Sequence, residues 1–204
     1  MFLITFTGLD GSGKSTQVKL LQERIKKNGQ TFLAFHILDF SLANQIFRSY
    51  KKKGSPAPAK TSASWLGIFL RKIFLFIDLF RFRFFWQKIQ KQKINFLLAD
   101  RYFFDQIVNI FFLSQKPIPK TKPLWQKFAE KILVSPTQAF YLTIHPLTIQ
   151  SRNRTIEQGL NYLEKKQLIL DKLANNWNLK KVNADQEKNQ LADLIWKYIQ
   201  KINH

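Results

Sequence analysis

Gly8-Leu-Asp-Gly-Ser-Gly-Lys-Ser-Thr16 follows directly on the apolar run Phe2-Leu-Ile-Thr-Phe-Thr7. A glycine, four residues, then Gly-Lys-Ser is the spacing of a phosphate-binding loop (P-loop) set between a strand and a helix. Backbone N–H groups wrap a polyphosphate only where side chains do not intrude, which accounts for Gly8, Gly11 and Gly13. Asp10 and Ser12 fill the loop between them. Lys14 offers a cation to the β- and γ-phosphates, the Ser15 hydroxyl offers a ligand to Mg²⁺, and Thr16 follows in the first helical turn. That helix begins at the loop, so its dipole and unpaired N–H groups add to the anion site. Val18, Leu21 and Ile25 recur at helical spacing, and Lys26-Lys27-Asn28-Gly29 gives a basic last turn with a glycine stop. Strand before and helix after are the context that separates a nucleotide-binding loop from a glycine-rich linker.

Around this stretch, 204 residues read as a single domain, 1–204, with room for a sizeable core. Cysteine is absent, which removes disulfides, thiolate nucleophiles and thiolate metal sites and fits a reducing compartment. The run at 2–7 is too short for a signal peptide and leads into the loop, so the expected localisation is cytoplasmic. The net charge of +20 points to anionic partners. Its lysines are dispersed along a chain also rich in Asn, Ile and Phe, which reads as compositional bias. No nucleic-acid module is recognisable, and nucleic acid is not expected as a partner.

The chain then alternates strands and helices. Thr31–His36 reads as a strand, with Asp39, Ser41, Asn44 and Gln45 in the segment beyond it. Residues 51–64, basic and rich in small residues and proline, read as a flexible surface loop. Residues 65–89 read as a long helix whose Phe, Leu, Ile and Trp cover more than one face, interrupted by Arg71, Lys72, Asp78, Arg81, Arg83 and Lys88. No uncharged window in it reaches the ~18 residues of a membrane span. One face suits the sheet, and the rest suits a partner subunit in a homodimer, with peripheral membrane contact as the weaker alternative.

Ile94–Ala99 reads as a third strand ending in Asp100-Arg101-Tyr102. A carboxylate at the carboxyl end of a buried parallel strand is placed to hold Mg²⁺ or its water beside the P-loop, and Arg101 to aim its donors at phosphate oxygens. A helix over 103–113, a proline-broken loop at 116–123 and a short helix near 124–133 follow. Ala139–Ile144 is the fourth strand, and Arg152 and Arg154 come just after it, where arginines can close over a transferring phosphoryl group. A charged helix over 159–177, a short strand at 180–184 and a helix with one clean face at Leu191, Leu194, Ile195, Tyr198, Ile199 and Ile202 complete the chain. Five strands alternating with helices predict an α/β fold, a three-layer, doubly wound, five-stranded parallel sheet.

Taken together, the P-loop, Asp100-Arg101-Tyr102, Tyr141-Leu-Thr-Ile-His-Pro146, and Glu164-Lys-Lys through Leu173-Ala174 resemble the thymidylate kinase family in order and spacing, over nearly the whole chain. The resemblance implies a P-loop nucleoside monophosphate kinase fold, with ATP and Mg²⁺ as cofactors. It puts Asp10 at the sugar 3′-hydroxyl of a bound monophosphate, Lys14, Ser15 and Thr16 on the ATP phosphates and metal, Asp100 near the metal and Arg101 on phosphate. Ser12 stands where some members carry a P-loop arginine, so Arg152 and Arg154, at the start of a short lid over about 150–160, take the catalytic arginine roles. The chain departs from the family pattern at the acceptor. His36-Ile-Leu-Asp39 replaces Arg-Glu-Pro, and Asp105, Asn109 and Ile110 stand where a serine and a tyrosine-glutamine pair meet thymine. Arg81 and Arg83 are only neighbours of the usual base-facing arginine.

The expected activity is transfer of the ATP γ-phosphoryl to dTMP, giving dTDP. The alternatives are the same transfer to another nucleotide or phosphorylated small molecule, and a non-catalytic basic ATP-binding protein at membrane or nucleic acid.

Overall fold

A computed structural model of the chain describes residues 1–45, 62–152 and 159–202. The strands are β1 (Phe2–Gly8), β2 (Phe32–His36), β3 (Phe96–Asp100), β4 (Gln138–Thr143) and β5 (Lys180–Asn183). They form one parallel sheet in the order β2-β3-β1-β4-β5. Helices among the described residues include α1 (Lys14–Lys27), α2 (Ile37–Phe40), α3 (Trp65–Gln90), α4 (Phe103–Ser114), α5 (Leu124–Ile132), α6 (Pro146–Ser151), α7 (Leu160–Asn176) and α8 (Lys188–Ile202). The expected α/β doubly wound sheet is therefore present. The third strand starts two residues later than the sequence reading and takes in Asp100 as its last residue, because Asn95 is used to tie the strand's start to Thr31.

β1 and β3 are buried almost throughout, as strands covered on both faces must be. α1 and α8 form one flanking layer, and α3, α4, α5 and α7 the other. The chain leaves β1 through α1 and leaves β3 through α4, on opposite faces, although the two strands are neighbours. A crevice opens at such a switch point beyond the carboxyl ends. Gly8 ends one strand there and Asp100 the other.

Phe82 of α3 anchors the second layer. Its ring lies 5.4 Å from Phe103, 5.5 Å from Phe35, and 5.6 Å from both Phe40 and Tyr102. The pairs with Phe40, Tyr102 and Phe103 are edge-to-face, a geometry that adds to the gain from burial alone. α3 buries only one stripe, Leu75, Asp78, Leu79, Phe82 and Ile89, and exposes Trp65, Phe69, Ile73, Phe80 and Phe84. No helix among the described residues is long and apolar enough to cross a membrane.

Candidate functional site

The P-loop closes on itself with little room. A Cβ on Gly8, whose φ is 153°, would stand 2.8 Å from both the Leu142 carbonyl and the Ser12 hydroxyl. Only a glycine lets the loop lie this close to β4. Gly13 caps α1 in the left-handed region, φ 90°, aiming the first N–H groups of the helix outward. Lys14 is buried, and its ammonium donates to the carbonyls of Gly8 at 3.0 Å and Leu9 at 2.5 Å. Burial and the nearby Arg101 guanidinium outweigh the surrounding carboxylates and bring its pKa down to about 7. Ser15 and Thr16 are exposed on the first turn.

Across the crevice, Asp100 lies in register with Phe6 of β1 and His36 of β2. Its Oδ1 is buried without a hydrogen-bond partner. Proteins take up Mg²⁺ through one or two carboxylates together with substrate phosphates, seldom through a cage of their own. Among the described residues no cluster of three His, Asp or Glu side chains could hold a metal, whereas the unpartnered Asp100 oxygen and the Ser15 hydroxyl fit the sparser set. Arg101 follows at φ 68°, held by its N–H on the Phe6 carbonyl at 3.0 Å. A non-glycine residue in this region carries strain of order 1 kcal/mol, and such strain collects where a side chain must be aimed.

Arg101 is aimed at Asp10. Its guanidinium pairs with Asp10 Oδ1 and lies 3.6 Å from Asp105. On the other carboxylate oxygen, the Tyr162 hydroxyl donates at 3.2 Å and the Lys166 ammonium stands at 3.4 Å. Lys166 also donates to Tyr162 at 2.8 Å. Burial alone would raise the Asp10 carboxyl. The charges of Arg101, Lys166 and Lys14 more than offset it and hold the group well below the usual carboxylate range. Asp10, read from sequence as a partner for a sugar hydroxyl, is thus occupied by three side chains. Asp105 is engaged within the fold as well. Its Oδ2 accepts from the Thr7 hydroxyl at 2.9 Å and the Tyr102 N–H at 3.2 Å, fixing α4 to the end of β1.

A cavity of about 120 Å³ lies between α2, α3 and α4, lined by Asn44, Arg71, Phe74, Asp78, Gln106 and Asn109 among others. Ile110 borders it too, so two of the three positions singled out on α4 do reach it. The arginine is a different one. Arg81 donates to the Phe40 carbonyl at 3.1 Å and to Asp78 at 2.9 Å and lies over the Phe40 ring, so it ties α3 to α2, and Arg71 is the arginine at the cavity. Asp78 is almost wholly buried, and its Oδ2 has no partner.

On the β5 side, a cavity of about 540 Å³ runs past Ser12, Gly13, Thr16 and Gln17 to Asp185 and Lys188. Arg152 borders it, with its guanidinium on the Ala184 carbonyl at 2.9 Å. Arg154, the rest of the expected lid over 153–158 and the basic stretch over 51–61 lie outside the described residues.

The sequence reading gave no site role to Tyr162, nor to Lys166, Arg71 and Asp78, which it noted only within Glu164-Lys-Lys and as charges of the long helix. A signal was present for two of them. Lys166 lies on the stripe Leu163, Leu170, Leu173, and Asp78 on the stripe Leu75, Leu79, Phe82. A charge inside an apolar stripe is buried by its neighbours and needs a partner.

No protein-family model matches this chain, and no curated protein matches it in sequence. Among solved structures, it is similar to the thymidylate kinase of Candida albicans, with a TM-score of 0.65 and 19% identity over 98% of this chain and 91% of the other. That structure is described as revealing the origin of a broad substrate specificity and a novel structural element. At this identity the likeness shows the fold, a five-stranded parallel sheet with flanking helices as in that kinase.

Proposed function

We propose that the protein is an ATP-dependent nucleotide kinase that passes the γ-phosphoryl of ATP to a nucleoside monophosphate, with dTMP as the first acceptor to test. The observation that carries this reading is the crevice between β1 and β3. It sets an anion-binding loop and a buried lysine against an unpartnered carboxylate and a strained arginine, on a fold shared with a thymidylate kinase. A loop that binds a triphosphate and a separate cavity beyond α2 and α4 suit a reaction between two bound nucleotides.

The chemistry asks little covalent help of the protein. The acceptor phosphate is already a nucleophile, so the work is alignment of two anions and neutralisation of the charge on the group between them. The P-loop N–H groups and Lys14 hold the donor, Arg101 and Lys166 bring positive charge from the facing side, and Thr16 and Arg152 border the donor nucleotide. When bound at Ser15 and Asp100, Mg²⁺ supplies further charge neutralisation at the phosphates. A reaction of this kind fits a cytoplasmic enzyme.

One observation favours an acceptor other than dTMP. Asp78 is among the residues that line the smaller cavity, and a carboxylate there suits a base with an amino donor better than the carbonyl-flanked edge of thymine. An acceptor panel of dTMP, dUMP, dCMP, dAMP and dGMP, followed by ADP release, separates these readings. Turnover with dTMP above all others supports the first, preference for dCMP or a purine supports the second, and ADP from none of them overturns the kinase reading.

The exposed face of α3 supports a homodimer formed by α3 against its copy. Trp65 is 79% exposed and Phe84 70% exposed, with Phe69, Ile73 and Phe80 between them. An apolar patch of this extent along one helix is the usual mark of an interface. A membrane surface is the weaker alternative, because the patch is not flanked by a clean basic face.

A further inference from the structure

We infer that Lys166 of α7 is a catalytic cation: its ammonium exchanges the contact with Asp10 for one with the phosphoryl group in transit between donor and acceptor. The inference rests on the kinase reading above.

Three observations lead to it. Lys166 is buried, and among the described residues its one ion-pair partner is Asp10, on the far side of the crevice at 3.4 Å. That contact is long, and the firmer bond is to the Tyr162 hydroxyl at 2.8 Å, which itself donates to Asp10. Tyr162 therefore fixes the ammonium in position, while Asp10 gives it a loose resting partner. Asp10 is also the partner of Arg101, so one carboxylate holds two cations, and its side chain is still 47% exposed. A triphosphate on the loop brings several negative charges into the same volume and competes for both cations.

The second argument is a matter of supply. Ser12 leaves the loop with Lys14 as its one side-chain cation, and Arg152 is engaged with the Ala184 carbonyl on the β5 side. Lys14 reaches the donor from beneath the loop. Among the described residues, Arg101 and Lys166 are the cations held at the loop's open side by Asp10. The transferring group carries its charge on three equatorial oxygens, and positive charge on that side lowers the barrier.

In the transfer, an oxygen of the acceptor phosphate forms the new bond to the γ-phosphorus as the bond to the β,γ-bridging oxygen breaks. The electron pair leaves with ADP. Lys166 remains an ammonium throughout and neither gives nor takes a proton.

The test uses Lys166→Met, Lys166→Arg and, as a control on the exposed neighbour, Lys165→Met. With the best acceptor of the panel, Lys166→Met is expected to lower kcat by about 10²-fold, as loss of one charge-stabilising donor does, and to raise the KM for ATP by about tenfold or less. Lys166→Arg keeps the charge and restores most of the rate. Lys165→Met matches the parent protein. A role confined to stability would lower the melting temperature of Lys166→Met and leave kcat of the folded fraction intact, and that result overturns the inference. A second measurement does not need turnover. Calorimetric affinity for magnesium tripolyphosphate is expected to weaken about tenfold in Lys166→Met. If the parent protein forms no ADP with any acceptor, the kinase reading fails by itself. The tripolyphosphate result then decides whether Lys166 meets phosphate, and unchanged affinity overturns that as well.

Discussion

Lys14 shows how one buried group links the loop's geometry to a measurable proton. With its pKa near 7 against an ordinary 10.5, the folded protein holds the ammonium proton less tightly than the unfolded chain does. The unfolded chain then binds more protons between those two values, so native stability rises with pH across that window. Urea midpoints of the parent protein are expected to gain on those of Lys14→Met from about pH 7 to pH 10, and parallel curves would contradict this. On the kinase reading, a triphosphate bound on the loop restores the charged form, so binding near pH 8 takes up a proton. Calorimetry in two buffers of different ionisation enthalpy should show that uptake, and Lys14→Met should lose it. Gly8 is the other residue on which the loop depends. Gly8→Ala drives a methyl against the Leu142 carbonyl, and a loss of nucleotide affinity of at least about tenfold is expected by titration, since the close approach of loop to β4 has no slack.

Among the elements, α3 divides its residues between core and surface in a way its composition hid. Phe82, ringed by five aromatic side chains, should cost about 3–5 kcal/mol when cut to alanine, read from chemical denaturation. Phe84, two residues on and 70% exposed, should cost little stability when changed to glutamate. On the homodimer reading, Phe84→Glu together with Phe80→Glu instead shifts the molecule to monomer in sedimentation, and an unchanged mass would contradict that reading. α7 carries the converse lesson. Its buried stripe contains Lys166, which only makes sense once the P-loop is seen across the crevice. Helix periodicity gives the face of a residue but not what stands opposite, and Asp10 lies 156 positions away in the chain.

For the molecule as a whole, much of the architecture was legible because the signals are local. The apolar strands, the glycine spacing of the loop and the Asp100-Arg101-Tyr102 tripeptide each act within a few residues, and together they define the sheet and its crevice. The partners of Asp10, the choice of Arg71 over Arg81 at the smaller cavity and the task of Asp105 as a tie between α4 and β1 depend on contacts between distant segments. No local pattern encodes them. The central claim is that the crevice joins two nucleotides through one phosphoryl group. Its most direct test is to supply [γ-³²P]ATP, Mg²⁺ and the monophosphate panel and to follow the label. The account predicts label in a nucleoside diphosphate with the parent protein and none with Lys14→Ala; label released only as inorganic phosphate, or equal transfer by the two proteins, would contradict it.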